Sequence, residues 1–265
     1  MSETFHGNLN VALVQCPLFW EDPVQNLRHI ETLLYKHIGV DLFVLPEMFS
    51  TGFTMNPQTS VDLNRDLVLP ALLNLSVQLS AAVCGSMCWM ENGAFYNRFF
   101  FIDQGHVVYT YNKRHLFSLV GEEKVYTPGH ERSGFVWKSW RIMPLICYDL
   151  RFPVSSRNSK PYTDLYIYVA NWPQRRVQAW QALLPARAIE NMAYVLGVNR
   201  VGYDGYDIYY NGHSAAYDAL GEALCPFNQE QEEVFLISLS KSHLEECRQK
   251  FRFLDDGDKF EVFLD

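Results

Sequence analysis

A chain of 265 residues, 48% hydrophobic and 15% aromatic, can bury a large core, and α/β folds of this length are often one unit, so a single domain over 1–265 is expected. A formal net charge of −8 and a pI near 5.5, with no local basic patch, exclude a phosphate-tracking surface; nucleic acid is not an expected partner. The polar opening MSETFHGNLN lacks the charged, apolar and small-residue zones of a signal peptide, and no apolar run nears membrane-spanning length, so a cytoplasmic protein with no membrane partner is expected.

Strand and helix signals then alternate. LNVALVQ (9–15) and DLFVLP (41–46) are short apolar runs bounded by polar or turn residues, as strands covered on their faces require. Between them, DPVQNLRHIETLLYKHI offers Asp22 as an N-cap and Pro23 for the first turn. It spaces Val24, Leu27, Ile30, Leu34 and Ile38 along one face, which predicts a helix reaching Ile38. A second helix is expected over 66–79, followed by strands over 81–89, 94–103 and 106–111, with Asn92-Gly93 and Gln104-Gly105 as hairpin turns. Further strands fit 140–146, 164–170, 194–200, 213–218 and 233–239, and helices fit 174–191 and 241–249. No repeat, low-complexity tract or linker divides the chain, and the pattern predicts a layered α/β fold.

The six cysteines are thinly spread, which favours free thiols over a disulfide framework. Cys84 and Cys88 in AAVCGSMCWM fall on one face of a strand, and no second Cys or His pair completes a metal site, so they read as packing residues and no metal is expected.

The reactive residue types collect at strand ends. Glu47 follows DLFVLP, where Pro46 makes continuation of a central strand awkward and leaves a carboxylate at a sheet edge. Lys113 follows HVVYTYN, and Cys147 follows RIMPLI within LICYDLRFP. Taken singly, they read as a solvated loop carboxylate, a surface charge and a core thiol. Taken together they supply a proton acceptor, a positive group for an oxyanion and a nucleophile, the three requirements of covalent acyl transfer. Rival signatures are absent: there is no G-x-S-x-G elbow, H-E-x-x-H pair or G-x-x-x-x-G-K-[ST] loop, and Gly202 and Gly205 make no dinucleotide fingerprint.

LPEMF, YNKRHLF and LICYDLRFP resemble the three catalytic segments of the nitrilase superfamily, the carbon-nitrogen hydrolases. The resemblance runs over about 8–255, through YVANWP, WQALLPARAIENMAYVLGVNRVG and GHSAAYDALGE, and is greatest to the omega-amidase branch, specifically bacterial 2-oxoglutaramate amidases. It implies a four-layer α-β-β-α sandwich, commonly paired with a second subunit, and hence a homodimer or larger even-numbered oligomer. It also implies Glu47 as general base, Lys113 as oxyanion stabiliser with the Tyr148 backbone N–H, and Cys147 as nucleophile. Glu122 in GEEKVYTPG matches a second glutamate often beside the triad, with Glu123 as the adjacent alternative. Such chemistry opens an amide through a cysteine thioester and needs no cofactor.

The implied substrate is a small 2-oxo acid amide such as 2-oxoglutaramate. In NWPQRR, Trp172 offers an apolar wall and Arg175 or Arg176 a guanidinium for the distant carboxylate; two solvent-facing cations at a helix start fit the same residues equally well, and Arg151 is the next candidate. Tyr203, Tyr206, Tyr209 and Tyr210 read as an aromatic-rich loop or a subunit contact ahead of a substrate surface. An N-carbamoyl or other small-amide hydrolase, and a non-catalytic interaction protein retaining the fold, are the competing functions.

Overall fold

The computed structural model describes residues 7–132, 134–225 and 230–258. Residues 1–6 and 259–265, on which the first part of the polar opening MSETFHGNLN and the ends of the expected 1–265 domain fall, lie outside the described residues.

The chain opens with β1 (Leu9–Gln15), α1 (Pro23–Leu34) and β2 (Leu42–Val44). Asp22 caps α1 by accepting the Gln25 N–H at 2.9 Å. The helix stops short of Ile38. The Lys36 and His37 N–H groups fold back onto the Leu33 and Leu34 carbonyls at 3.2 and 3.0 Å, and Gly39 at φ +86° turns the chain towards β2, leaving Ile38 86% exposed.

The second helical run begins earlier than position 66. A short α2 (Val61–Leu63) passes through a π-type turn (Asn64–Val68) into α3 (Leu69–Gln78). Pro70 lies in the first turn of α3 and lacks an N–H, and the wider π turn accommodates the missing i→i−4 bond. Next come β3 (Ala82–Glu91), β4 (Ala94–Asp103) and β5 (His106–Asn112). Both hairpin turns have positive φ at their two central residues, 51° and 78° for Asn92-Gly93 and 48° and 78° for Gln104-Gly105, the backbone that matches strand twist.

The second half contains β6 (Phe135–Trp137), β7 (Trp140–Ile146), β8 (Leu165–Ala170), α4 (Val177–Asn191) and β9 (Tyr194–Asn199). It continues through β10 (Val201–Tyr203), β11 (Tyr209–Asn211), β12 (Ala215–Tyr217), β13 (Glu233–Leu239) and α5 (Lys241–Phe251). Sequence periodicity misses β6, β10 and β11 because three residues are too few to display an alternation.

The strands form a six-stranded sheet in the order β13-β1-β2-β3-β4-β5, a five-stranded sheet in the order β12-β9-β8-β7-β6, and the small β10-β11 ribbon. Period-two alternation divides the first sheet between two cores. Leu9, Val11 and Leu13 of β1 pack with residues of the second sheet, whereas Ala12 and Val14 pack with Ile30 and Leu33 of α1 and with Leu72 and Leu75 of α3. Trp180 and Leu184 of α4 and Leu244 of α5 join the core of the second sheet. The result is the expected α-β-β-α sandwich.

β7, β8 and β9 are mutually parallel, β2 is parallel to β3, and β5 lies two antiparallel steps from β3. β2 and β5 therefore run the same way. Glu47, Lys113, Cys147 and Asn171 all follow the carboxyl ends of their strands, where ligand crevices form in α/β sheets.

Candidate active site

Glu47 is fully buried, at 0% exposure, and is neither a solvated loop carboxylate nor open at a sheet edge. Burial of a carboxylate requires hydrogen-bond donors, and three reach it. Lys113 Nζ and Asn97 Nδ2 donate to Oε1 at 2.9 and 2.7 Å, and the Asn171 backbone N–H donates to Oε2 at 2.8 Å. Lys113, 1% exposed, also contacts both carboxylate oxygens of Glu122 at 3.0 Å, and Glu122 accepts the Phe117 N–H as well. Glu122 is buried and its neighbour Glu123 is exposed, so Glu122 is the member of the pair that meets Lys113.

Two buried carboxylates thus share one ammonium. Burial alone would lower the Lys113 pKa, but Glu122 and Glu47 reverse this and hold it above its ordinary value. Burial raises the Glu122 pKa; Lys113 opposes that shift and the Glu47 charge reinforces it.

Cys147 opens a 3₁₀ turn (Cys147–Arg151) at the end of β7 with φ +45°, a left-handed conformation that a residue with a side chain occupies at a cost. Asp149 braces that turn. Its Oδ2 accepts the Ile146 N–H and the Tyr111 hydroxyl, each at 2.9 Å, and its Oδ1 meets His115 N and Nδ1 at 3.1 and 2.7 Å. One buried carboxylate therefore ties the Cys147 turn to the segment that follows Lys113.

All six cysteines are free, and Cys147 alone is incompletely buried. Cys84 packs between the sheets and Cys88 beside Met48 and Tyr126, as expected of packing residues. Burial, then the Glu47 charge, pushes the Cys147 thiol well above its ordinary pKa, with Lys113 pulling the other way. A pKa raised in this way favours the protonated thiol over the thiolate. The Tyr148 ring packs near Phe117 and Phe152. Its N–H lies in the first turn of the 3₁₀ segment, where no preceding helical carbonyl is available.

Cys147, Glu47 and Lys113 open onto a cavity of about 280 Å³, near the small end of ligand pockets. Trp172 is a buried wall, fixed by Nε1 donation to the Arg176 carbonyl at 2.7 Å and by Asn199, which bonds its backbone N–H and C=O at 2.8 Å each. Arg175 is exposed; Arg176 is half-buried with its guanidinium 4.9 Å from the Phe117 ring centre, and Arg151 lies 4.9 Å from that of Trp172. Both NWPQRR arginines line the cavity, so Arg176 does not fit the description of a solvent-facing helix start. Burial, followed by the charge of Arg175 and assisted by Arg151, lowers the Arg176 pKa. Among the described residues, none of these three arginines has a carboxylate within ion-pair distance.

The tyrosine cluster divides. Tyr206 and Tyr210 line the cavity, whereas Tyr203 is 64% exposed outside it. Asp204, also on the cavity wall, accepts the Tyr206 and Ile208 N–H groups on Oδ1 and the Tyr210 hydroxyl on Oδ2. Sequence reasoning missed Asn97, Asn171, Asp149 and Asp204. Asn171 carried the same signal as Glu47, a polar residue closing an apolar strand in YVANWP, and Asn97 was the lone amide in an aromatic strand.

The carbon-nitrogen hydrolase family pattern matches residues 10–249. Omega-amidase YafV of Escherichia coli (strain B / BL21-DE3) is 44% identical over 255 residues, covering 96% of this chain and 99% of that protein. The 2-oxoglutaramate amidase of Bacillus subtilis (strain 168) is 28% identical over 252 residues, covering 93% and 96%. The crystal structure of XC1258 from Xanthomonas campestris, a CN-hydrolase superfamily protein with an arsenic adduct in its active site, aligns with a TM-score of 0.91 at 38% identity, covering 97% of this chain and all of that one. With the family pattern spanning nearly the whole chain and its strand ends bringing Glu47, Lys113 and Cys147 onto one cavity, the protein belongs to the carbon-nitrogen hydrolase family, in the omega-amidase branch of the nitrilase superfamily.

Proposed function

We propose that the protein is an omega-amidase that hydrolyses the terminal amide of a small 2-oxo acid such as 2-oxoglutaramate, releasing the dicarboxylate and ammonia. The observation that carries this reading is the cavity itself: beside the Glu47, Lys113 and Cys147 groups it presents three guanidiniums that have no carboxylate partner among the described residues. Its remaining carboxylate, Asp204, is already engaged by three donors and offers little to a substrate ammonium. Such a pocket favours an anion with a neutral α-position. The names of the two amidase relatives agree with it.

In this reading Cys147 Sγ attacks the amide carbon while Glu47 takes the thiol proton. The oxyanion is held by Lys113 and the Tyr148 N–H. The C–N bond breaks as Glu47 returns the proton to nitrogen, ammonia leaves, and a thioester remains. Water attacks the thioester, giving a proton to Glu47; the C–S bond breaks and Sγ recovers that proton. Lys113 has three protons, and a single one bifurcated across the two Glu122 oxygens leaves one free for the oxyanion after Glu47 takes another. Trp172 walls the chain of the substrate, and Arg176 or Arg175 receives its distant carboxylate.

The proposal treats 1–265 as one hydrolase domain acting in the cytoplasm as a homodimer or larger even-numbered oligomer, with exposed Tyr203 in the subunit contact. Light scattering that returned an active monomer would remove the last element. The function is tested by ammonia release from 2-oxoglutaramate, a neutral amide of similar length and N-carbamoyl compounds. The 2-oxo acid amide should be turned over best, and Arg176→Ala should cut its kcat/KM about 10-fold to 150-fold while sparing the neutral amide. Preference for an N-carbamoyl compound, or no ammonia from any of them, would overturn the reading.

A further inference from the structure

Asn171 touches both reacting groups. Its backbone N–H donates to Glu47 Oε2, its side-chain Nδ2 donates to the Glu47 carbonyl oxygen, and its own carbonyl oxygen lies 3.9 Å from Cys147 Sγ. Glu47 follows β2 in the six-stranded sheet, whereas Cys147 and Asn171 follow β7 and β8 in the five-stranded sheet. The Asn171 side chain thus spans the two sheets where the thiol proton must cross.

The contacts on Glu47 also assign a direction to that transfer. Lys113 and Asn97 occupy Oε1, and the Asn171 N–H occupies one acceptor position of Oε2, so the remaining position on Oε2 is the one left for the thiol proton. Asn171 Oδ1 is buried and has no hydrogen-bond partner among the described residues. The opposite amide orientation would set two oxygens face to face at the Glu47 carbonyl, so an orphaned Oδ1 is the smaller cost.

We propose that Asn171 is a positioning residue whose side chain locks the Glu47 loop to the end of β8 and so aligns the base with Cys147. This rests on the reading of Glu47 as base and Cys147 as nucleophile. The two main-chain contacts are available to any residue at 171, but the side-chain clamp on the Glu47 carbonyl is not. Without it the loop slides against β8, and a misplacement of about 1 Å costs on the order of 100-fold in rate. Trp172 is held separately by Asn199, so the substrate wall stays in place.

The test uses the full chain with Asn171→Leu, a near-isostere lacking the donor, together with Glu47→Gln and the double variant. Two quantities are read: kcat and KM for the amide, and the pH profile of Cys147 alkylation by iodoacetamide, which needs no substrate. Asn171→Leu should lower kcat on the order of 100-fold with KM within about threefold. Because the Glu47 charge raises the thiol pKa, drawing the carboxylate away should move the alkylation inflexion to lower pH, towards that of Glu47→Gln. The double variant should be no slower than Glu47→Gln alone. Should circular dichroism show Asn171→Leu unfolded, Asn171→Ser is measured in the same way. A wild-type pH profile in the folded Asn171 variant, or a loss that multiplies with that of Glu47→Gln, overturns the positioning role alone. An inflexion unmoved by Glu47→Gln removes the base assignment and this proposal with it.

Discussion

Glu122→Gln separates two effects of one buried carboxylate. Glu122 receives Lys113 on both oxygens, Phe117 N–H on Oε2 and, at 3.5 Å, Asn97 Nδ2 on Oε1. Glutamine keeps the shape but turns one acceptor into a donor. Placed at either oxygen, the new NH₂ faces Lys113, so one charged contact is lost in both orientations. The loss of a hydrogen bond to a charged group, about 1.5–3 kcal/mol, should lower kcat/KM for the amide about 10-fold to 150-fold. The charge acts in the opposite sense on the thiol. Burial, Glu47 and Glu122 raise the Cys147 pKa against Lys113, so removing the Glu122 charge lowers it and shifts the alkylation inflexion to lower pH. The variant should therefore hydrolyse more slowly while its thiol alkylates faster at a fixed pH below the inflexion. Ammonia release and mass-resolved iodoacetamide labelling read the two quantities. Unchanged turnover, or an inflexion moved to higher pH, would refute the reasoning. Exposed Glu123→Gln is the matched control and should change neither.

Because Cys147 is the one incompletely buried thiol, brief iodoacetamide treatment of the native protein should label Cys147 and spare Cys84 and Cys88; substantial early labelling of either would contradict the burial pattern. Cys147→Ala should lose turnover and the acyl adduct seen by mass spectrometry while keeping the native circular dichroism spectrum. Tyr148→Phe should retain kcat within about threefold, since the assigned donor is the backbone N–H, whereas Tyr148→Pro should cost 100-fold or more, on the order of a lost oxyanion donor. Gly197→Ala would place a Cβ 2.5 Å from Leu184 Cδ1 and 2.8 Å from Trp180 Cζ2, overpacking the α4 contact with β9. Thermal unfolding should show a loss of about 1–3 kcal/mol, and an unchanged midpoint would show that the interface yields.

The layered fold and the strand ends bearing Glu47, Lys113 and Cys147 were legible in the chain because each element advertises itself locally. An apolar run bounded by turn residues states a strand, and a reactive side chain directly after it is placed by the strand's end. The residues that hold those three groups in place were not legible. Asn97, Asn171 and Asp149 act through contacts between segments 34 to 124 residues apart, and no local period encodes such a meeting. The same holds for burial. Glu47 and Lys113 carry the sequence marks of surface charges; strand pairing within the first sheet brings Lys113 and Asn97 to the carboxylate, and the closing of the second sheet over it removes water and adds the Asn171 N–H, which makes them a buried ion pair. Ile38 shows the converse, an apolar residue in helical phase that the tertiary path leaves in solvent because the chain must turn into β2 before the helix can reach it. Local sequence determined which elements form and what chemistry stands at their ends; long-range packing decided which of those groups meet, and which lose their water.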